Sequence, residues 1–233
     1  KFYELCIGSE VVLNTIAPVD RQGVAIDDSI KRYRIFENLG GLDQNVRTFN
    51  TYHYTVYIPT NDKVDEAYTK GLPNWIDMET EALAIDELKL SKKDKEDALD
   101  DLKMLETTTL EEIEAAQAEI DAIAAEIASR IAVLKKDVEL VTNFTKYHFQ
   151  DNSVYVDAVP FSLPSPEGGY YTEANFATSV IDAKTGRFYE ITVKSDENNS
   201  TLLITDQQGN VARVVNDVKE DEGKTWNVMS RDI

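Results

Sequence analysis

The middle of the chain carries the clearest hydrophobic pattern. No Pro or Gly occurs between Met78 and Tyr147, and Glu, Asp, Lys, Ala, Leu and Ile prevail there, so this stretch is predicted to be helical. In its second half apolar residues recur at steps of three and four, which is typical of a long amphipathic helix. These positions are Ile113, Ala116, Ile120, Ile123, Ile127, Ile131, Leu134, Val138 and Val141.

Two interruptions are predicted inside the helical stretch. Ser91 can cap a helix that runs to about Glu106, and Thr109 with Glu112 forms a capping box after Thr107–Thr108. An apolar stripe on the shorter helix matches the longer one and consists of Leu99, Leu102 and Leu105. The pattern favours an intrachain helical hairpin, and helix–helix dimerisation between chains is the alternative.

Strand-like segments lie on both sides of the helices. β-branched and aromatic residues dominate from Thr51 to Ile58, and Pro59 ends that run. Thr60 and Asn61 follow at once as helix N-cap candidates. Later strand candidates are Ser153–Val159, Thr178–Ile181, Arg187–Val193, Thr201–Asp206 and Val211–Val218, with hairpin turns at Thr185–Gly186 and Gln208–Gly209. A strand, then helices, then a run of strands indicates an α+β module.

The first strand-to-helix segment resembles a known signature. YTVYIPTNDKVDEAY, from Tyr54 to Tyr68, resembles the first signature of the fasciclin (FAS1) family, in which a strand ends in Pro-Thr-Asn and enters a helix. Pro59, Thr60 and Asn61 are the matching residues, and Val64 is the apolar residue that follows. The structural interpretation of this motif needs no ligand, because Pro stops strand pairing and Thr60 or Asn61 caps the helix.

A second segment is similar to the family's other signature. VTNFTKYHFQDNSVY, from Val141 to Tyr155, looks like the motif in which an apolar helix ends in Tyr-His and leads into a strand. Tyr147 and His148 are the matching pair. In animal members of the family this region is implicated in receptor-mediated adhesion, so the resemblance makes Tyr147 and His148 the candidate binding residues. The alternative is structural, with the Tyr packed and the His bonded to backbone at the helix end.

The resemblance implies a fold and its boundaries. The signatures occur in the family's order over most of Lys1 to Asp217, which implies a single fasciclin-like domain over residues 1–233. Its expected fold is a FAS1-like β-sandwich or β-wedge with flanking helices. The spacing of about eighty residues between the signatures exceeds that of a typical member, so the long helical hairpin is interpreted as an insertion at about 88–136. Family members tend to finish on a strand with a His-x-Ile-Asp-like motif, and this chain stops at SRDI without it. The resemblance therefore implies that the final family strand is missing, disordered or outside this chain.

Charge narrows the range of partners. The chain has 24 Lys and Arg against 43 Asp and Glu, giving a net charge of -19. This balance disfavours nucleic acid and anionic membranes, both of which reward clustered Lys and Arg. No run approaches the ~20 apolar residues of a membrane helix. The segment YHFQDNSVY is similar to that of fasciclin-type surface lipoproteins of Bacteroidota. This resemblance implies an extracellular-facing protein at the outer membrane, attached only by a lipid anchor outside this chain.

Few residues are available for catalysis. His53, His148 and Cys6 are the only His and Cys, and Cys6 lies in an apolar run typical of a buried, inert thiol. No Gly-rich phosphate loop occurs. No enzyme activity, metal or cofactor is expected. Carboxylates on the helices are interpreted as a solvated face, as in Asp94, Glu96, Asp97, Asp100 and Asp101.

The predicted function is therefore a fasciclin-type adhesion or binding module at the cell surface. Its expected partner is a protein or glycan there, with helix-mediated self-association as a further possibility. The alternative is a carbohydrate-binding or scaffold component of a surface nutrient-acquisition system. Exposed aromatic residues would favour that alternative, because sugars stack on aromatic rings, and the candidates are Trp75, Tyr170 and Tyr171.

Overall fold

Helices and strands occupy different parts of the molecule in the computed structural model. The structure describes residues 1–17, 54–105, 107–152, 154, 173–195 and 201–214. Contacts divide the chain into a helical unit, Lys1–Arg47 with Pro59–Thr145, and a sheet unit, Thr48–Ile58 with Lys146–Ile233. Helices occur together with an antiparallel half-barrel sheet, which confirms the predicted α+β class. The FAS1-like β-sandwich or β-wedge stays a prediction.

Some sequence-based predictions lie outside the described residues. These are His53, Tyr170, Tyr171, the helix end at Glu106, the expected lack of a final family strand at SRDI, the strand Val211–Val218 beyond Val214, and the strand Ser153–Val159 apart from Val154. They stay predictions.

The described helices are short at the N-terminus and long in the middle of the chain. They are α1 (Phe2–Ile7), α2 (Glu10–Ile16), α3 (Asn61–Thr69), α4 (Trp75–Met104) and α5 (Leu110–Tyr147). Helix α2 packs against α4, where Ser9 Oγ donates to Glu79 at 2.6 Å and Thr15 Oγ1 donates to Asp86 at 3.0 Å. None of the described helices combines the length and apolarity needed to cross a bilayer.

Helices α4 and α5 form an antiparallel intrachain pair. The guanidinium of Arg130 donates to both carboxylate oxygens of Glu81, at 2.6 and 2.8 Å, and Lys95 pairs with Glu119 at 2.6 Å. As positions rise along α4 their partners fall along α5, which defines the antiparallel direction. All nine predicted stripe positions of α5 are buried or half-buried, so that prediction is confirmed.

The predicted helix limits are partly wrong. Helix α4 begins at Trp75, not Met78, because the Asn74 side chain accepts from the N–H of Asp77 at 2.9 Å as an N-cap. The helix also continues through Ser91, so the predicted break there is wrong. In the predicted stripe Leu99 is buried, Leu102 half-buried and Leu105 exposed. Helix α4 continues through residue 88 and α5 through residue 136. The insertion limits and the single-domain assignment stay predictions.

The described strands form one antiparallel sheet in chain order. They are β1 (Tyr54–Val56), β2 (Phe149–Asp151), β3 (Glu173–Ile181), β4 (Phe188–Ser195), β5 (Leu202–Thr205) and β6 (Val211–Arg213). Buried apolar side chains form its core, namely Val154, Phe176, Ile191, Val193 and Leu202. Both predicted hairpin turns are confirmed, with Gly186 at φ 67° and Gly209 at φ 85°, backbone conformations that favour glycine.

Candidate functional site

Strands β1 and β2 bring the two signature segments side by side. Their register pairs Tyr54 with Asp151 and Val56 with Phe149. Just beyond β1, the Tyr57 N–H donates to the carbonyl of His148 at 2.9 Å. Segments far apart in the sequence therefore meet as hydrogen-bonded neighbours.

A partly buried side-chain hydrogen bond strengthens this pairing. The Tyr57 hydroxyl donates to Gln150 Oε1 at 2.8 Å, and Gln150 is fully buried. Gln150 Nε2 donates in turn to the backbone carbonyl of Asp151 at 3.2 Å. Burial raises the pKa of Tyr57, so its hydroxyl remains a donor. Because a buried amide without partners is destabilising, this arrangement favours the observed positions of the two segments.

Tyr147 and His148 form the junction between α5 and β2. Their rings meet edge to face, with centroids 6.5 Å apart and planes at 87°. Tyr147 packs against the core of the sheet unit, and both residues are half-buried. Burial, followed by the charge of Asp206, raises the pKa of the Tyr147 hydroxyl. The Tyr147 ring therefore packs against the core of the sheet unit, while part of the surface of Tyr147 and His148 remains accessible to solvent.

The Pro-Thr-Asn residues lie at the start of α3 in the predicted order. Helix α3 begins at Asn61 with Thr60 as the N-cap residue. The expected side-chain cap is wrong, because Thr60 makes no capping hydrogen bond through its hydroxyl and only its carbonyl accepts, from the Val64 N–H at 3.0 Å. Val64 is fully buried and anchors the helix. Pro59 and Thr60 thus lie where the chain passes from β1 into α3.

The helical unit contains an open cleft of about 710 Å³. Three sequence segments line it. The first gives Lys1, Glu4, Ile7 and Gly8, the second gives Asp65 and Tyr68 from α3, and the third is Asn74 to Asp77 at the start of α4. Its volume lies within the roughly 300–1,000 Å³ of small-molecule sites. Two aromatic side chains, Tyr68 and Trp75, contribute to this lining.

Trp75 is held in a defined position in the cleft. Its Nε1 donates to the carbonyl of Leu5 at 3.3 Å. The end of its indole approaches Gly8, where a Cβ added to the glycine would lie 3.6 Å from Trp75 Cζ2. Gly8 has φ 75°, so glycine is favoured there for conformation rather than for space. The helix α1 end therefore fixes the indole orientation.

Carboxylates dominate the polar lining of the cleft. Asp65 is paired with the Lys1 ammonium, and Asp77 accepts from Asn74 Nδ2 at 2.7 Å. Glu4 is largely exposed, with 77% of its side-chain surface accessible. Burial, and then the nearby Glu4 carboxylate, raises the pKa of Tyr68. The cleft is thus aromatic on its walls and negatively charged around them.

Comparison with known proteins leaves the family open. No family model, curated protein or solved structure matches this chain.

Candidate metal ligands and the Cys6 thiol can be placed within the described residues. Within them, no group of three or more His, Cys, Asp or Glu could hold a metal ion. Cys6 is 1% exposed, and burial raises the pKa of its thiol to about 12, which confirms the predicted buried thiol. The five helical carboxylates expected on a solvated face are all exposed.

Sequence reasoning identified Trp75 but missed its neighbours. Tyr68 and Asp65 lie three positions apart on α3, a spacing that puts them on one helix face. That spacing was the available signal. Glu4 belongs to a distant segment, and no sequence pattern connects it with Trp75.

Proposed function

We propose that this chain is a fasciclin-type adhesion or binding module that faces outward at the cell surface and has no catalytic role. The observation that carries the proposal is the antiparallel pairing of β1 with β2. It joins the two segments that resemble the family's signatures, with α3 following the first and α5 preceding the second. A fasciclin-like β-wedge and a lipid anchor outside this chain belong to the same proposal.

Tyr147 and His148 are the proposed contact residues. Each keeps part of its surface accessible at the junction of α5 and β2. An aromatic ring beside an imidazole provides both apolar contact and hydrogen bonding, a combination that is common in protein interfaces. The expected partner is a surface protein or glycan.

An adhesion assay with conservative variants tests this role. Beads coated with the protein are measured for retention on mucin, fibronectin and a layer of the same chain. The double variant Tyr147→Phe with His148→Gln keeps the packing volume and changes the polar groups. We expect its retention to fall at least about fivefold, the size of a 1 kcal/mol loss, while the melting temperature stays close to that of the parent.

A matched control is Lys184→Gln, in the exposed turn between β3 and β4. It should leave retention unchanged. Equal retention of the double variant and the parent would refute the contact role. No retention of the parent on any of the three surfaces would count against adhesion itself.

The carbohydrate-binding alternative has one observation in its favour. Trp75, the only described member of its predicted aromatic set, lines the cleft of the helical unit together with Tyr68. A scaffold role or self-association through the helices has weaker support, since α4 and α5 already pair within one chain.

A further inference from the structure

We propose that the cleft of the helical unit is a saccharide-binding site that takes a neutral sugar ring against Tyr68 and Trp75. The proposal deepens the carbohydrate-binding alternative by assigning its site and ligand charge. It does not depend on the contact role of Tyr147 and His148, which belong to the sheet unit.

The aromatic walls supply the main attraction. The apolar C–H face of a pyranose packs on an aromatic ring, where dispersion and removal of water both favour contact. Trp75 is oriented by its bond to the Leu5 carbonyl and by Gly8. A ring held in this way loses little freedom when a ligand arrives, which favours binding.

The polar groups around the aromatics suit sugar hydroxyls. Asp77 and Asn74 are already hydrogen-bonded to each other at 2.7 Å, so their remaining acceptor and donor capacity is fixed in direction. Glu4 and Asp65 add further carboxylate acceptors. Hydrogen bonds from hydroxyls to ionised carboxylates are stronger than those between neutral groups.

Charge restricts the kind of sugar. Glu4, Asp65 and Asp77 line the cleft together with Lys1, whose side-chain ammonium pairs with Asp65 and whose α-ammonium lies 3.7 Å from Glu4. A uronic acid or sialic acid would still meet an excess of negative charge, because the described lining has three carboxylates against the two ammonium groups of Lys1, in a chain of net charge -19. A neutral saccharide avoids this repulsion and can still donate its hydroxyls to the Asp77 carboxylate.

Titration calorimetry with defined probes tests the site. The probes are cellohexaose, xylohexaose, mannohexaose and laminarihexaose, with a galacturonic acid oligomer as the anionic probe and tetramethylammonium chloride as the cationic one. We expect at least one neutral oligosaccharide to bind and the galacturonic acid oligomer not to bind. Fluorescence gives a second readout, because Trp226→Phe leaves Trp75 as the sole tryptophan.

Variants separate stacking from fold stability. Tyr68→Leu keeps an apolar side chain on α3 and should weaken the neutral saccharide about tenfold. Tyr3→Leu is the matched control, since Tyr3 is 58% exposed on α1 and does not line the cleft. It should bind as the parent does.

Three results would overturn the site. These are no heat and no Trp75 fluorescence change with any neutral probe at about 10 mM, equal affinity in the Tyr68→Leu variant, or binding of tetramethylammonium or the galacturonic acid oligomer in preference to the sugars. The Tyr147→Phe and His148→Gln double variant should keep full saccharide binding. Failure of adhesion and failure of this site are therefore distinguishable.

Discussion

At the residue scale, Asp151 shows how the sheet unit holds a carboxylate that is partly removed from water. Its Oδ1 accepts from the Ala177 N–H at 3.0 Å, which ties β2 to β3. Burial nevertheless raises the pKa of Asp151 above its ordinary value of 3.8. The folded state therefore binds this proton more tightly than the unfolded state does.

Asp151→Asn should stabilise the protein at neutral pH. Because the folded pKa is raised, the contribution of Asp151 to stability falls as pH rises from 3.8 through the folded pKa. An amide oxygen keeps the bond to Ala177 without the charge. We expect a gain of at most about 1 kcal/mol, since solvent screens this partly exposed group, and a loss of pH dependence in that window, measured by urea unfolding.

The comparison variant is Asp151→Ala. It removes the acceptor of the Ala177 N–H as well as the charge, so it should lower the free energy of unfolding by about 1 kcal/mol. A lower stability of Asp151→Asn than of the parent at neutral pH would contradict the account.

At the element scale, the turn between α4 and α5 was predictable and the start of α4 was overlooked. Thr109 and Glu112 form the expected capping box, in which the Thr109 N–H donates to Glu112 at 2.8 Å and the Glu112 N–H donates to Thr109 Oγ1 at 3.3 Å. The predicted break at Ser91 is wrong because a serine within a strongly helical stretch does not by itself end the helix. Asn74 and Asp77, three residues apart, form a similar local signal for the start of α4.

Thr109→Ala should loosen the first turns of α5. Loss of the cap costs about 1 kcal/mol, which corresponds to a rise of roughly fivefold in local opening. Amide hydrogen exchange of residues 110–113 measures this. Ser91→Ala serves as the control, because Ser91 is exposed within α4, and exchange around it should stay the same or become slower. Faster exchange near 91 than near 110 would argue against the assigned helix limits.

At the scale of the whole molecule, sequence reasoning found the elements but not the way they combine. Periodicity reports which face of a helix is buried, so the α5 stripe was correct. It carries no information on partners, and Tyr57 bonds to Gln150 across 93 positions. The cleft likewise is lined by three segments that lie far apart in the sequence. Of its lining residues, the sequence analysis had named only Trp75 as a candidate for binding.

Net charge makes a prediction for the whole molecule. A chain of charge -19 repels itself, while its exposed ion pairs, such as Lys95 with Glu119, contribute little. Salt screens this repulsion and should therefore stabilise the fold. We expect NaCl at about 0.15 M to raise the melting temperature by about 2–4 °C. A fall with salt would show that the ion pairs dominate.

A less acidic variant checks the cause. Asp97→Lys with Glu114→Lys changes two exposed helical residues and lowers the net negative charge. Its melting temperature should respond less to NaCl than that of the parent.

The 2.9 Å hydrogen bond between Tyr57 and His148 has a consequence for changes in chain length. The chain leaves the sheet at one of these residues and re-enters it at the other, so the intervening excursion begins and ends at almost the same point. Insertions are best tolerated where their ends already lie close together. Changes in the length of the helices between these two residues should therefore leave the register of β1 and β2 in place.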